Sequence, residues 1–326
     1  MKDILERQQC WLYLFGIGLG ISAGLWAPER MAVLEPLLWP LLGALLYTTF
    51  TQIPLLAIRQ GLQDKRFIAA LLVGNFIVIP AAVGLAALWL PLPPALLAGV
   101  LLVLLVPCTD WFITFTHLGK GDTGRAIAAT PLLLLIQMIA LPVYLWWLLG
   151  IEWLNIALST ALISAFVGLI ATPLLLAWLT ERLAERSAKA QRITQAMGYC
   201  PVPLLAVVVF IIAASQVASV VALAHWLLPL GLLFSGYLLL AGLLGRALGR
   251  LFSLPTRSAR TLAFSFGTRN SFVMLPIALT LPNGWQAAVV VIVFQSLVEL
   301  FGMVGYLRWV PGKLLPEPLT KNASLK

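Results

Sequence analysis

Three ionisable side chains lie deep inside apolar runs of the chain. Asp110 follows Val106-Pro107-Cys108-Thr109, Arg269 sits in Ser265-Phe266-Gly267-Thr268-Arg269-Asn270-Ser271, and Glu299 closes Gln295-Ser296-Leu297-Val298-Glu299. A charge within hydrocarbon costs several kcal/mol unless it faces protein or a water-filled cavity, so such residues are functional candidates by default. Asp110 and Arg269 carry opposite charges, each beside a helix-breaking residue. They form either a structural ion pair or part of a substrate or proton site. Burial raises a carboxylate pKa and a neighbouring arginine lowers it, so proton coupling through Asp110 is a hypothesis at this level. Glu299 has no basic neighbour in its own segment. It is either a neutral, hydrogen-bonded acid or a cavity-lining, proton-handling one.

Neutral ligands surround these charges. A break in a membrane helix exposes carbonyls at one end and N–H groups at the other, which bind cations and anions respectively. Thr109, Thr268, Asn270 and Ser271 add oxygens or an amide at the same depth, and Gln295 and Asn75 are further candidates. Asn75 equally suits a helix–helix hydrogen bond. Cys108, directly after Pro107, reads as an inert small hydrophobe or as a thiol for a soft ion. Cys10 and Cys200 have no such setting, no CxxC pair exists, and His117 and His225 lack ligand spacing, so no metal site and no cofactor is expected. Gly16-Ile17-Gly18-Leu19-Gly20 lies within an apolar helix with no strand before it. It reads as close helix packing, not a dinucleotide fingerprint.

The elements that position these residues follow from composition. The chain is 61% hydrophobic and 10% charged, which defines an all-α, polytopic integral membrane protein. Ten apolar segments are long enough to span, near residues 10–27, 36–58, 67–90, 94–118, 124–149, 153–180, 198–219, 223–246, 258–281 and 285–310. The first is long for a signal peptide and lacks a cleavage site, so it reads as a spanning helix. With both termini cytoplasmic, every one of the 21 basic residues except Arg30 and Arg269 falls on the inside, as the positive-inside rule requires. The net charge of +9 therefore reports topology and argues against nucleic-acid binding. Localisation in the plasma (inner) membrane is expected. Residues 1–326 form one transmembrane domain that divides into approximately 1–150 and 151–326. Five helices per half give the halves opposite orientation, the inverted repeat of secondary transporters. The fourth and ninth spans, which carry the two breaks, then correspond and cross. An intramembrane transferase would need paired aspartates holding Mg²⁺ near the headgroups, and none exists at membrane depth. The chain is not expected to be an enzyme.

These features resemble the bile acid:sodium symporter superfamily over essentially the whole chain, and within it the arsenical-resistance permeases. The most specific match is Cys108 followed by Leu118-Gly119-Lys120-Gly121-Asp122. Pro107 and Lys120-Gly121 also match the sodium-coupled branch, Asn270 matches the ninth-helix asparagine of both, and Leu297-Val298-Glu299 is similar to the Leu-Ile-Glu of arsenite permeases. The resemblance implies a metalloid-handling Cys108 and a proton-handling Glu299. The departures are as informative. Phe112 and Ile113 stand where the sodium branch has Ser-Asn, and Ser265 and Arg269 stand where it has Glu and Gln. Arsenite permeases carry a small neutral residue at Asp110 and an acid at Val273. The resemblance thus implies a carrier without sodium sites, in which Arg269 supplies the positive charge. The expected function is proton-coupled efflux of arsenite, antimonite or a small anion, with the bilayer as the other partner. Sodium-coupled organic-anion import is the alternative.

Overall fold

The computed structural model describes residues 2–54, 64–109, 111–157, 159–282 and 284–317. Asp110 lies outside the described residues, as do Arg59, Asn283, Lys321 and Lys326 of the charge and turn pattern. Apart from one isolated bridge, the described residues are helical or connecting. The helices are α1 (Lys2–Trp26), α2 (Pro28–Ala32), α3 (Leu38–Phe50), α4 (Lys65–Val73), α5 (Ile79–Ala87), α6 (Pro94–Leu104), α7 (Trp111–Leu118) and α8 (Thr123–Ala157). After a kink come α9 (Thr160–Phe166), α10 (Thr172–Arg186), α11 (Ala188–Met197), α12 (Pro201–Ser215), α13 (Val217–Ala222), α14 (Ala224–Leu251), α15 (Thr256–Gly267), α16 (Ser271–Leu279) and α17 (Ala287–Trp309).

Among the described residues, seven helical stretches are long and apolar enough to cross a membrane. They begin at Pro28, Lys65, Thr123, Leu162, Ala188, Ala224 and Ala287. The other three expected segments are represented by shorter pieces, each with a local cause. The first keeps only Trp11–Trp26 as its apolar part. The fourth is cut into α6 and α7, and the ninth into α15 and α16, at the two breaks. Large apolar side chains such as Trp11, Ile139, Trp147 and Leu232 point outward, the surface of a multi-pass membrane protein, where lipid is the solvent.

Local sequence explains the irregular backbone. Pro80 has no N–H, so the carbonyl four residues earlier, on Phe76, loses its helical partner. The helix answers with a π-turn over Gly74–Val78, and the Tyr144 hydroxyl donates to the Phe76 carbonyl. Gly150 adopts φ 79° and kinks α8, a conformation that favours glycine.

Two helix groups emerge from the packing. In one, α1 runs against α12, and α3 packs on α12 and α10. Gly16, Gly20 and Gly24 face the carbonyls of Ala206, Phe210 and Ala214, at 3.0, 2.4 and 2.4 Å from an ideal Cβ, whereas nothing approaches Gly18. The glycine run is therefore a packing seam. In the other group, α14 lies on α15, and α17 packs on α6, α14 and α16.

Candidate functional site

The two breaks meet. Pro107 and Arg269 form an isolated antiparallel bridge. The Cys108 N–H donates to the Thr268 carbonyl at 3.2 Å, and the Asn270 N–H to the Val106 carbonyl at 2.9 Å. Each break supplies the backbone partners that the other lacks, which removes the main penalty of unwinding a helix in hydrocarbon. Asn270 also caps α16, its Oδ1 accepting from the Val273 N–H at 3.4 Å, while its Nδ2 donates to Thr109 Oγ1 at 3.3 Å. Thr268 bonds back to the Phe264 carbonyl at 2.8 Å.

Arg269 is almost fully buried. Its guanidinium donates to Asn75 Oδ1 at 2.9 Å, to the Ser265 and Phe266 carbonyls at 2.8 and 2.9 Å, and to the Leu104 carbonyl at 3.4 Å. Its carbon lies 5.7 Å from the Tyr237 ring centroid. Leu104 ends α6, and Ser265 and Phe266 are in the last turn of α15, so the cation sits at two negative helix ends. Among the described residues no carboxylate lies within 4 Å of it. Among the described residues, its guanidinium is held by a cage of neutral oxygens. Asn75 is tied to the same cage from the π-turn, its Nδ2 donating to Ser265 Oγ at 3.1 Å.

Glu299 stands on the other side of the Arg269 backbone. Its Oε2 accepts from the Arg269 N–H and from Gln295 Nε2, both at 2.8 Å, while Oε1 is buried without a hydrogen-bond partner. Ser271 donates to Gln295 Oε1 at 2.8 Å. Of the expected residues, Asn75, Arg269, Glu299, Gln295 and Ser271 therefore join in one run of hydrogen bonds, Thr109 and Asn270 form a separate pair at the crossing, and the Thr268 side chain bonds only to the Phe264 carbonyl. Buried networks of this kind are stable only when most members are satisfied.

A cavity of about 160 Å³ adjoins the crossing. Its walls come from both helix groups: Gln9 and Tyr13 of α1 and Gln52 beyond α3 on one side, Thr109, Trp111 and Phe272 on the other. Trp111 stacks with Tyr13 (centroids 6.2 Å, 14°) and tilts against Phe272 (4.9 Å, 58°). No charged side chain of the described residues lines it. Cys108 is 4% exposed and is not on the wall, whereas its neighbour Thr109 is. Sequence reasoning missed Gln9, Tyr13, Gln52, Trp111 and Phe272. The neutral amides in helical segments were the available signal.

The stretch Leu118–Asp122 is a structural clasp. Lys120 takes φ 57°, and its carbonyl accepts from Arg260 at 3.1 Å. The Asp122 N–H donates to Thr261 Oγ1 at 2.8 Å, and the Asp122 carboxylate caps α8 and pairs with Arg125 at 3.0 Å. It ties the end of the fourth segment to the start of the ninth.

An all-helical membrane protein with two broken helices that bond across one another, beside a cavity between two helix groups, has the build of a transporter. The model of the sodium bile acid symporter family matches residues 39–223, more than half of the chain, and the chain belongs to that family. The match takes in the first break and the α3 and α12 walls of the cavity. No curated protein matches the chain. The family consists of transporters, not enzymes, and implies a small-molecule substrate moved with ion coupling.

Proposed function

We propose that the chain is a secondary carrier of a small organic solute or anion, working by alternating access with protons, and not sodium, as the coupling ion. The observation that carries the reading is the cavity at the crossing, walled by both helix groups; movement of one group against the other is the proposed transport step. Its three aromatic rings and neutral amides and hydroxyls suit a compact organic solute. A volume of about 160 Å³ is well under the roughly 300–1,000 Å³ of drug-sized sites.

Several features support sodium independence. The oxygen cage at the crossing already holds a cation, the guanidinium of Arg269. Glu299, with one unpartnered carboxylate oxygen beside that cage, is the group proposed to handle the proton. The ten-crossing, five-plus-five reading is supported by the pairing of α1 with α12 and of α10 with α3. These contacts exchange when the first segment is swapped with the sixth and the second with the seventh. On that reading both termini are cytoplasmic, the membrane is the plasma (inner) membrane, and the cavity opens inward, since Gln9, Gln52 and Pro201 lie at inside ends.

Arsenite ranks below an organic solute as substrate. That reading asks for Cys108 as a ligand, and Cys108 stands behind the cavity wall. Sodium-coupled import of a bile-acid-like anion fits the family at least as well as metalloid efflux. It differs from the proposal in its coupling ion. Flux in proteoliposomes with arsenite and a panel of organic anions, varying pH and Na⁺ independently, tests all three. Strict Na⁺ dependence overturns the role given to Arg269. Arsenite flux abolished by Cys108→Ser overturns the substrate class.

A further inference from the structure

Away from the crossing, one face of α14 carries two concavities. Ser235, Leu238 and Leu239 line an open apolar furrow of about 530 Å³ against Phe301, Gly302 and Gly305 of α17. Further along, Arg246 and Arg250 of the same helix and Ser253 just beyond its end line a cleft of about 330 Å³ that also touches Thr256 at the start of α15. Positions 235, 239, 242, 246 and 250 recur every three or four residues and so lie on one face of α14, and Ser253 follows just past its end at Leu251. The partner helix runs alongside in the same direction. Leu238 meets Gly302, and the Trp309 ring covers Gly242, so furrow and cleft follow one another along a single helix pair.

The chemistry of the two parts differs. The furrow is walled mainly by carbon and glycine. The cleft holds two arginines and, among the described residues, no carboxylate lines it. Arg246 Nε is buried there without a hydrogen-bond partner. The nearby Glu317 is engaged by Arg260 at 3.2 Å. Above the cleft, α15 begins with no side-chain cap on its first N–H groups, which adds to the local preference for negative charge. From Ser235 to Arg246 the axial distance is about 16 Å at 1.5 Å per residue. One leaflet's hydrocarbon is about 15 Å deep, half of the roughly 30 Å core.

We propose that furrow and cleft together bind one anionic phospholipid, with its phosphate on Arg246 and Arg250 and an acyl chain along Leu239 and Gly305. The lipid belongs to the leaflet at the Arg250 end. A basic cleft alone would take free phosphate as readily. The apolar furrow on the same helix, reaching one leaflet's depth from Arg246, selects the lipid.

Native mass spectrometry of the full chain in detergent, titrated with phosphatidylglycerol, phosphatidylcholine or inorganic phosphate, tests this. Phosphatidylglycerol is expected to be retained about tenfold or more over phosphatidylcholine, the size of a charge-assisted contact. The double variant Arg246→Ala with Arg250→Ala removes that preference. Gly305→Phe, at a position where an added Cβ meets nothing within 4 Å, fills the furrow and lowers retention with the arginines intact. Equal retention of the two lipids overturns the proposal. So does phosphatidylglycerol binding that survives both variants, or inorganic phosphate displacing the lipid at matched concentration.

Discussion

On the proposed reading of a carrier indifferent to sodium, replacing Arg269 by alanine should make it respond to sodium. The substitution removes a buried guanidinium from its oxygens and leaves a space of similar size. Phe266 keeps the Tyr237 hydroxyl as a donor at 2.7 Å, and the Leu104 contact is long. The principal acceptors stranded are the Ser265 carbonyl and Asn75 Oδ1. At about 1–3 kcal/mol for each buried unsatisfied group, the loss is about 2–6 kcal/mol. Relief of burying the cation itself moves the net towards the lower end. Glu299, left without its nearby cation, moves it back up. A small cation that enters the cage recovers part of this, because carbonyls and an amide oxygen at helix C-termini are a ready cation site. Thermal unfolding of the purified protein, in sodium chloride against choline chloride at equal ionic strength, reads the effect. The parent should show no sodium-specific shift. Arg269→Ala should unfold at lower temperature and regain stability with sodium or with millimolar guanidinium. A variant as stable as the parent, or one equally indifferent to both salts, would refute the reasoning.

Other outcomes follow from the same geometry. Glu299→Gln keeps an oxygen for the Arg269 N–H, so the protein should fold while solute flux driven by a pH gradient is lost; vesicle flux with the gradient on or off measures it. Trp111→Ala removes two ring contacts worth about 0.5–1.5 kcal/mol each. It should raise KM about 3- to 10-fold with little change in the amount of folded protein. Gly20→Ala places a methyl group against the Phe210 carbonyl and should cost about 1–3 kcal/mol, whereas Gly18→Ala should be neutral; thermal unfolding compares the two.

Much of this was legible in the chain because membrane burial makes exceptions conspicuous. Arg269 and Glu299 announce themselves by charge, and Pro107 and Gly267 by helix breaking. Their meeting is expected from the five-plus-five division, and the two breaks do bond to each other. The partners were less legible. Nothing in the sequence tells that the Arg269 N–H, and not its guanidinium, takes Glu299, because main-chain direction at a break depends on three-dimensional packing. The link from Asn75 to Ser265 depends on the π-turn that Pro80 imposes. Trp111 and Phe272 looked like ordinary lipid-phase aromatics, since a single apolar helix carries no mark of which ring faces a cavity. The run at Leu118–Asp122, which carried the family resemblance, holds a turn together.

The bridge between Pro107 and Arg269 has a consequence for biogenesis. During synthesis the first break leaves the ribosome when most of the chain is still unmade, and the amides and carbonyls it needs belong to residues 268–270. Until these arrive, the unwound stretch at Val106–Thr109 must be shielded by water, by the insertion machinery or by a transient helical state. Long-range closure of this kind is intrinsically slow. A chain truncated before α15 should therefore be a poor membrane resident and a target for quality control, however well its earlier helices insert.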